Sequence, residues 1–189
     1  MNPIAGVAHV LERASRAQAP ATVVIDGPSG SGKSVFADAV AEHWPEAQLV
    51  RLDAFYPGWS GLDGASAAVV EDILLPRSQG RPGGWRRWDW MTGLSAEWHD
   101  LDAVRPLIVE GCGALSRAAL PFVDVGVWVE APDAVRKRRA LARDAGAFDE
   151  HWDMWDAQWR RFEAREHPRA AASVIVDGTQ PPPVDAARR

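Results

Sequence analysis

The sequence has little cysteine, no long apolar run and no excess of positive charge. Its single cysteine, Cys112, excludes an intrachain disulfide and a metal site built from several cysteines. No apolar run approaches the roughly 18 residues of a membrane-spanning helix, and the chain opens without a basic and apolar leader, so we predict a cytoplasmic protein with no membrane partner. The formal net charge of −5 disfavours a nucleic-acid partner, because binding to a phosphate backbone needs clustered positive charge.

The length and composition of the chain suit one globular domain. The 189 residues are enough to bury a sizeable core, and 47% apolar and 25% charged residues are ordinary proportions for a globular protein. We therefore predict a single domain over residues 1–189. The run of three prolines at 181–183 predicts that the tail, residues 179–189, is flexible.

The segment 27–34, Gly-Pro-Ser-Gly-Ser-Gly-Lys-Ser, fits the phosphate-binding pattern G-x-x-x-x-G-K-[ST] without a mismatch. Gly27 and Gly32 can take positive φ, which turns consecutive backbone N–H groups inward into an anion-binding nest. In this pattern Lys33 reaches the β- and γ-phosphates, and the Ser34 hydroxyl is a ligand of Mg²⁺. The alternative is a Gly/Ser turn that matches by chance, but a predicted strand before it and a helix after it are the context that the motif requires.

We therefore predict that the chain binds ATP and Mg²⁺. The residues expected at the nucleotide are those of the loop and of the start of its helix: Gly27, Ser29, Gly30, Ser31, Gly32, Lys33, Ser34 and Val35.

Strands alternate with helices along the whole chain. Short apolar runs predict strands at 21–25, 48–52, 107–109, 125–129 and 173–176. Ile4, Val7, Ala8 and Leu11 lie at helical spacing and predict a first helix that ends before Pro20. Further helices are predicted at 35–41, 65–75, 134–144 and 149–167, while glycine and proline indicate loops at 57–64 and 79–84. This alternation predicts an α/β fold of three layers, with a parallel sheet of roughly five strands flanked by helices.

Three acidic residues lie at or near the carboxyl ends of predicted strands, where ligands bind in parallel sheets. Asp53 is the candidate general base, because a carboxylate beside the phosphate loop can orient an acceptor hydroxyl and take its proton; the alternative is a carboxylate that caps a turn. Glu110 fits the position that holds Mg²⁺ directly or through water; the alternative is a charge facing solvent. Asp26, next to the phosphate loop, carries no prediction.

Arg136, Arg139 and Arg143 fall on one face of the predicted helix at 134–144, within roughly 60° of one another. Such a face suits a lid that closes its guanidinium groups on the transferring phosphate. The alternative is a solvated helix face in a chain rich in arginine.

These motifs together resemble the uridine kinase branch of the P-loop kinases, which also includes phosphoribulokinase and pantothenate kinase. The resemblance covers most of residues 21–178, which would form the core of a P-loop NTPase-type fold with a helical lid at about 133–150. Asp53-Ala54-Phe55-Tyr56 resembles the family's Asp-Ser-Phe-Tyr, and Val109-Glu110-Gly111 its Phe-Glu-Gly. The resemblance implies that Asp53 is the catalytic base and that Glu110 serves the metal.

The same resemblance implies further site residues. Residues 136–144 are similar to the family's lid helix, which implies catalytic roles for Arg139 and Arg143 beside Lys33, and a nucleotide contact for Arg136. For the acceptor it implies Tyr56, Asp63, Trp88 and Asp89. Leu62-Asp63 resembles the start of a ribose-binding Phe-Asp-His-Pro segment, and Trp88-Asp89-Trp90 stands where the family has Tyr-Asp-Phe.

The base-reading residues of the family are altered in this chain. The family's pocket has a histidine four residues after the Asp of Tyr-Asp-Phe, and this chain has Gly93 there. Trp59, Trp85, Trp88 and Trp90 lie in the expected acceptor region, where an aromatic wall could stack a planar ring or only pack. Trp152, Trp155 and Trp159 share one helix face, for which we predict hydrophobic packing.

The sequence therefore predicts a kinase that transfers the γ-phosphoryl group of ATP to a hydroxyl of a small acceptor, nucleoside-like by resemblance. Two alternatives stay open at this level. The acceptor could be another small metabolite alcohol, or the chain could be a nucleotide-dependent switch with slow hydrolysis.

Overall fold

The computed structural model describes residues 1–18, 20–143, 146 and 148–180, and the side chain of Arg143 lies outside this description. The helices are α1 (Pro3–Arg16), α2 (Lys33–Glu42), α3 (Leu62–Ala68), α4 (Leu75–Ser78), α5 (Asp133–Arg143), α6 (Trp152–Glu166) and α7 (Pro168–Ala171). The strands are β1 (Thr22–Asp26), β2 (Gln48–Arg51), β3 (Gly83–Asp89), β4 (Leu94–Leu101), β5 (Leu107–Glu110), β6 (Val125–Glu130) and β7 (Val174–Asp177).

Five strands form one parallel sheet in the order β2-β5-β1-β6-β7. The two central strands, β1 and β5, are buried along their whole length, as expected for strands covered on both faces. Helices pack against both faces, so the predicted α/β fold with a parallel five-stranded sheet is confirmed. No helix in the described ranges combines the length and the apolar character needed to cross a bilayer.

Alternate residues of the strands enter two separate cores. On one face Val23, Ile25 and Ile108 pack against α1 and α2. On the other face Val24 and Val109 pack against the segment from Leu62 onward and against the tryptophans of α6. The prediction that Trp152, Trp155 and Trp159 pack is confirmed, because at most 5% of each residue is exposed.

The segment between β2 and β5 differs from the prediction. The predicted loop at 57–64 ends early, because α3 begins at Leu62; a π-helical stretch, Val69–Leu74, then joins α3 to α4. The predicted loop at 79–84 gives way to a strand from Gly83 onward. Strands β3 and β4 pair antiparallel as a hairpin outside the main sheet. No strand was predicted here, because its charged residues and tryptophans follow no clean alternation of apolar and polar positions.

The central strand β5 offers a direct test of this core. Ile108 is fully buried, so Ile108→Ala is expected to lower the free energy of unfolding by about 2–5 kcal/mol through lost apolar contact and a residual cavity. The matched control is Ile4→Ala in α1, where the residue is 59% exposed and a change within about 0.5 kcal/mol is expected. Urea unfolding followed by tryptophan fluorescence measures both, and equal stability of the two variants would contradict the described packing.

Candidate active site

The segment 27–34 forms a turn between the end of β1 at Asp26 and the start of α2 at Lys33. Gly30 has φ +77° and Gly32 has φ +101°, the left-handed conformations that glycine takes without strain. A Cβ on Gly30 would overlap the carbonyl oxygen of Arg136, so this position needs glycine for space as well as for backbone conformation. The loop therefore has the glycine conformations of an anion nest at a helix N-terminus.

A cavity of about 160 Å³ lies beside this loop. Its lining comprises Gly30, Gly32, Lys33, Ser34, Val35, Arg139 and Ala140. Lys33 is only 7% exposed. Burial lowers the pKa of the Lys33 ammonium, but Cys112 and the carboxylates of Glu110 and Asp53 outweigh that effect and raise it well above its usual value. Lys33 is therefore charged at neutral pH and is available to an anion in the cavity.

Glu110 ends β5 beside the phosphate loop and is 2% exposed. The Ser34 hydroxyl donates a hydrogen bond to Glu110 Oε1 at 3.2 Å. On the other side, Arg51 Nε lies 3.9 Å from Glu110 Oε2, and the Arg51 guanidinium also pairs with Asp38. Burial raises the pKa of the Glu110 carboxyl, while the charges of Lys33 and Arg51 and the hydrogen bond from Ser34 oppose that rise. The Ser34 hydroxyl and the Glu110 carboxyl group thus lie in contact beside the phosphate loop.

Asp26 holds the loop and its neighbour in place. Its Oδ1 accepts hydrogen bonds from the backbone N–H of Gly27 at 2.6 Å and of Gly113 at 3.0 Å, and its Oδ2 accepts one from Leu115 at 2.8 Å. Burial raises the pKa of the fully buried Asp26 to about 6, against the effect of these three donors and of Lys33. The group is thus ionised at neutral pH. Sequence reasoning assigned Asp26 no role, since a strand-end aspartate gives no sign of its partners.

Asp53 lies in the 3₁₀ turn Leu52–Ala54 that follows β2, and it is exposed. Strand β2 pairs with β5 so that Arg51 lies opposite Glu110, and Asp53 follows two residues later at the same edge of the sheet. The indole N–H of Trp90 donates a hydrogen bond to the Asp53 carbonyl at 3.0 Å. The structure thus brings together three of the predicted residues, Asp53, Lys33 and Glu110.

Two of the three arginines predicted to share one face of α5, Arg136 and Arg139, are engaged by other protein groups. Arg136 is 2% exposed and pairs with Asp133 and Asp156, while Arg139 donates to the carbonyl oxygens of Gly178 and Thr179, each at 2.6 Å. Arg139 still reaches the cavity beside the loop. Arg143 ends the helix, and its predicted catalytic role falls outside the described side chains.

The predicted acceptor residues are engaged elsewhere. Tyr56 is buried and donates its hydroxyl to the Cys112 carbonyl at 2.8 Å, and Asp63 pairs on the surface with Arg165 at 2.7 Å. Asp89 accepts hydrogen bonds from the backbone N–H groups of residues 91 and 92 and so caps the turn of the hairpin. Trp88 is half-buried and lies near Gly58. Their roles toward an acceptor stay predictions.

An aromatic cluster surrounds the loop after Asp53. The ring of Trp59 contacts Trp90 at 5.0 Å between centroids and stacks on Phe148 at 5.2 Å and on His151 at 4.3 Å. Sequence reasoning placed Trp59 in the acceptor region but missed its contacts with residues 148–151. Those contacts span about ninety positions, and no local pattern signals them.

A second cavity, of about 240 Å³, also borders Gly32. Its lining is mostly apolar and comprises Pro3, Gly32, Val35, Phe36, Val129, Arg139, Val176, Gly178 and Gln180. Arg139 and Val35 line both this cavity and the one beside the phosphate loop. Two cavities thus adjoin at the start of α2, one lined by Lys33 and Ser34 and the other mostly by apolar side chains.

No protein-family model and no curated protein matches this chain. Among solved structures, a possible uridine kinase from Bacillus stearothermophilus is similar over 92% of this chain and 98% of its own, with a TM-score of 0.65 and 14% identity. A candidate fructose transport system kinase from Silicibacter sp. TM1040 is similar over 93% of this chain and 98% of its own, with a TM-score of 0.62 and 21% identity. The P-loop kinase-like fold is thereby confirmed, and at these identities the similarity shows the fold alone.

The contact between Gly30 and α5 gives a test of the loop. Gly30→Ala would place a methyl group against the Arg136 carbonyl, so we expect the loop to shift and the dissociation constant for magnesium-ATP to rise by about tenfold or more, as measured by calorimetry. The matched control is Gly80→Ala, at φ +68° with nothing within 4 Å of the added carbon. Both variants carry a backbone penalty of about 1–2 kcal/mol, but only the one at Gly30 falls in the phosphate loop, so the comparison separates an effect on the loop from a general loss of stability. Equal affinities of the two variants would contradict this account.

Proposed function

We propose that this protein is a small-molecule kinase that transfers the γ-phosphoryl group of ATP to a hydroxyl group of a small acceptor. One observation carries the proposal. Ser34 donates to Glu110 beside Lys33 at the phosphate loop, and Asp53 follows strand β2, whose Arg51 lies opposite Glu110 in the sheet. A phosphate site with a nearby acceptor base is the arrangement that phosphoryl transfer to an alcohol needs.

The residues at the loop fit Mg²⁺ carried by a nucleotide. This ion prefers oxygen ligands and is usually held by one or two protein groups together with substrate phosphates. Ser34 Oγ and Glu110 Oε1, 3.2 Å apart, offer such a pair. Within the described ranges, no three His, Cys, Asp or Glu side chains cluster in a way that could hold a metal without phosphates. When bound, Mg²⁺ would neutralise charge on the phosphoryl oxygens.

The two adjoining cavities fit the two halves of a nucleotide. The one beside the loop is lined by Lys33, Ser34 and the loop glycines Gly30 and Gly32, which suits the phosphates. The larger one, lined mostly by apolar side chains, suits the face of a base, with Gln180 as its polar amide side chain. Arg139 lies between them and is placed to contact the phosphates.

In the proposed reaction the protein binds, orients and moves one proton. The loop amides and Lys33 hold the terminal phosphates, and the Asp53 carboxylate accepts the hydrogen bond of the acceptor hydroxyl. As the oxygen of that hydroxyl bonds to the γ-phosphorus, its proton passes to an Asp53 oxygen and the bond from phosphorus to the leaving oxygen of ADP breaks. Arg139 stabilises the charge that develops on the phosphoryl oxygens. A lid formed by α5 and the following residues would exclude water from this step.

The two solved structures with a similar fold suggest two classes of acceptor. The possible uridine kinase with a similar fold supports a nucleoside-like acceptor, and the candidate fructose transport system kinase supports a sugar-like one. Asp63 and Asp89 are held by other groups, so Asp53 is the acceptor carboxylate on which the proposal depends.

Replacing the proposed base separates chemistry from binding. Asp53→Asn keeps the shape of the side chain but cannot accept the proton, so we expect kcat to fall by about 10²–10⁴-fold while the dissociation constant for ATP stays near that of the wild type. Asp153→Asn is the matched control, because the side chain of Asp153 on α6 is 95% exposed. Unchanged turnover of the Asp53 variant would show that this mechanism is wrong.

Replacing the proposed metal-holding carboxylate should change the requirement for magnesium. Glu110→Gln retains an oxygen for Ser34 but loses the charge, so the Mg²⁺ concentration at half-maximal turnover is expected to rise by about 10–100-fold. Binding of ATP without metal, measured by calorimetry, is expected to stay within about a factor of three. A magnesium titration that coincides with that of the wild type would exclude this role for Glu110.

The decisive experiment is a panel of nucleosides, sugars and small alcohols assayed for acceptor-stimulated release of ADP. Stimulation by one class identifies both the reaction and the acceptor. Slow ATP hydrolysis that no acceptor accelerates would instead favour a nucleotide-dependent switch, and a folded protein that binds no magnesium-nucleotide would exclude the proposed function altogether.

A further inference from the structure

Arg136 is a buried cation whose partners come from two helices. Its Nε donates to Asp133 Oδ1 at 3.0 Å, within α5, and its Nη2 donates to Asp156 Oδ1 at 2.8 Å, on α6. Arg160 donates to both carboxylates from the solvent side, at 2.7 Å each. A buried charge is tolerated only when it is paired and hydrogen-bonded. The network therefore fixes the guanidinium between α5 and α6.

Two tryptophans of α6 complete the surroundings of this guanidinium. Its central carbon lies 5.1 Å from the centroid of the Trp159 ring and 5.7 Å from that of Trp152, within the range of cation–π attraction. Its three guanidinium nitrogens face Asp133, Asp156 and the Ser29 carbonyl, so protein groups already occupy each of them. The predicted contact between Arg136 and the nucleotide therefore has no support in this geometry.

The same side chain reaches the back of the phosphate loop. Arg136 Nη1 lies 3.5 Å from the carbonyl oxygen of Ser29, which is the third residue of the loop and is buried. An anion nest needs its N–H groups turned inward, so its carbonyl groups must find partners on the outside. One residue further on, the Arg136 carbonyl occupies the space that a side chain on Gly30 would need. The guanidinium of Arg136 thus contacts the loop at Ser29, and its backbone carbonyl contacts the loop at Gly30.

We propose that Arg136, held by Asp156, Trp152 and Trp159, is a positioning residue that keeps the phosphate loop in its anion-binding conformation. It acts through the backbone at Ser29 and Gly30 and touches neither nucleotide nor acceptor. Helix α6, more than a hundred positions along the chain, thereby sets the affinity of the loop for a triphosphate. This inference rests on the proposed function only in that the loop binds magnesium-ATP.

The test compares two arginines of the same helix. Arg136→Met fills much of the volume without charge, and Arg138→Met is the matched control because Arg138 is exposed. At a temperature well below both melting points, we expect calorimetry to show at least a tenfold weaker affinity of the Arg136 variant for magnesium-ATP and for magnesium with inorganic tripolyphosphate. The Arg138 variant should bind both as the wild type does. Tripolyphosphate has no base, so weaker binding of this ligand reports on the phosphate loop and not on contacts with the base.

A second variant approaches the same contact from α6. Asp156→Asn leaves α5 and the loop unaltered but removes the charge that holds Arg136 Nη2. We expect it to weaken tripolyphosphate binding in the same direction, and the double variant to bind no more weakly than Arg136→Met alone, because the two residues act as one unit. Asp156→Asn also provides the measurement if Arg136→Met does not fold.

The outcomes separate this inference from the proposed function. Wild-type affinity for both ligands in folded Arg136→Met, or in Asp156→Asn if the former does not fold, would overturn the positioning role even if the melting temperature fell. An unchanged affinity with a lower kcat would also overturn it, because that pattern indicates a contact made only in the transition state. A wild-type protein that binds neither ligand would overturn the proposed function itself.

Discussion

The buried carboxylate of Asp26 is the constraint on which the site depends. It joins the start of the phosphate loop at Gly27 to the loop after β5 at Gly113 and Leu115 through three backbone hydrogen bonds. A buried N–H without a partner costs about 1–3 kcal/mol, and the Asp26 carboxylate is the partner of N–H groups in both loops. One side chain therefore holds the two loops together. Because β1 and β5 are neighbours in the sheet, the same link fixes Lys33 relative to Glu110. The relative position of Ser34 and Glu110, the proposed magnesium ligands, is thus a consequence of how one strand ends.

The charges around that link balance one another. Lys33 and Glu110 are both buried, and each makes the charged form of the other more favourable. Arg51 adds a second cation on the far side of Glu110, and it is itself paired with Asp38. In a medium of low dielectric constant an unpaired charge would be costly, so this pairing opposes the rise in the pKa of Glu110 that burial causes. Preorganised charges of this kind need no reorganisation when a phosphate arrives.

The sequence allowed the sheet and the phosphate loop to be predicted, because both depend on local patterns. The loop needs fixed residue types at fixed spacing, and the central strands are continuous apolar runs such as Leu107–Val109. The role of Arg136 could not be predicted in this way. Spacing gives the angle between Arg136 and Arg139 around a helix axis, but it does not say that α6 covers one of them and leaves the other beside the loop. The hairpin of β3 and β4 was not predicted either, because both its faces are partly exposed and its strands lack the alternation of a half-buried strand.

The acceptor side depends most on contacts that are distant in sequence. The Trp90 indole holds the Asp53 carbonyl from the hairpin turn, and Trp59 links Trp90 to Phe148 and His151, which follow α5. The position of the Asp53 backbone is therefore coupled both to the hairpin and to residues after α5, of which Phe148 lies within the predicted lid. Trp90 is 42% exposed, so it is the member of this chain of contacts that a ligand near Asp53 can reach. An acceptor that packed against Trp90 would therefore contact the residue that donates to the Asp53 carbonyl. The same aromatic cluster extends through Trp59 to Phe148 and His151, so acceptor binding and the position of the residues after α5 would depend on one set of rings.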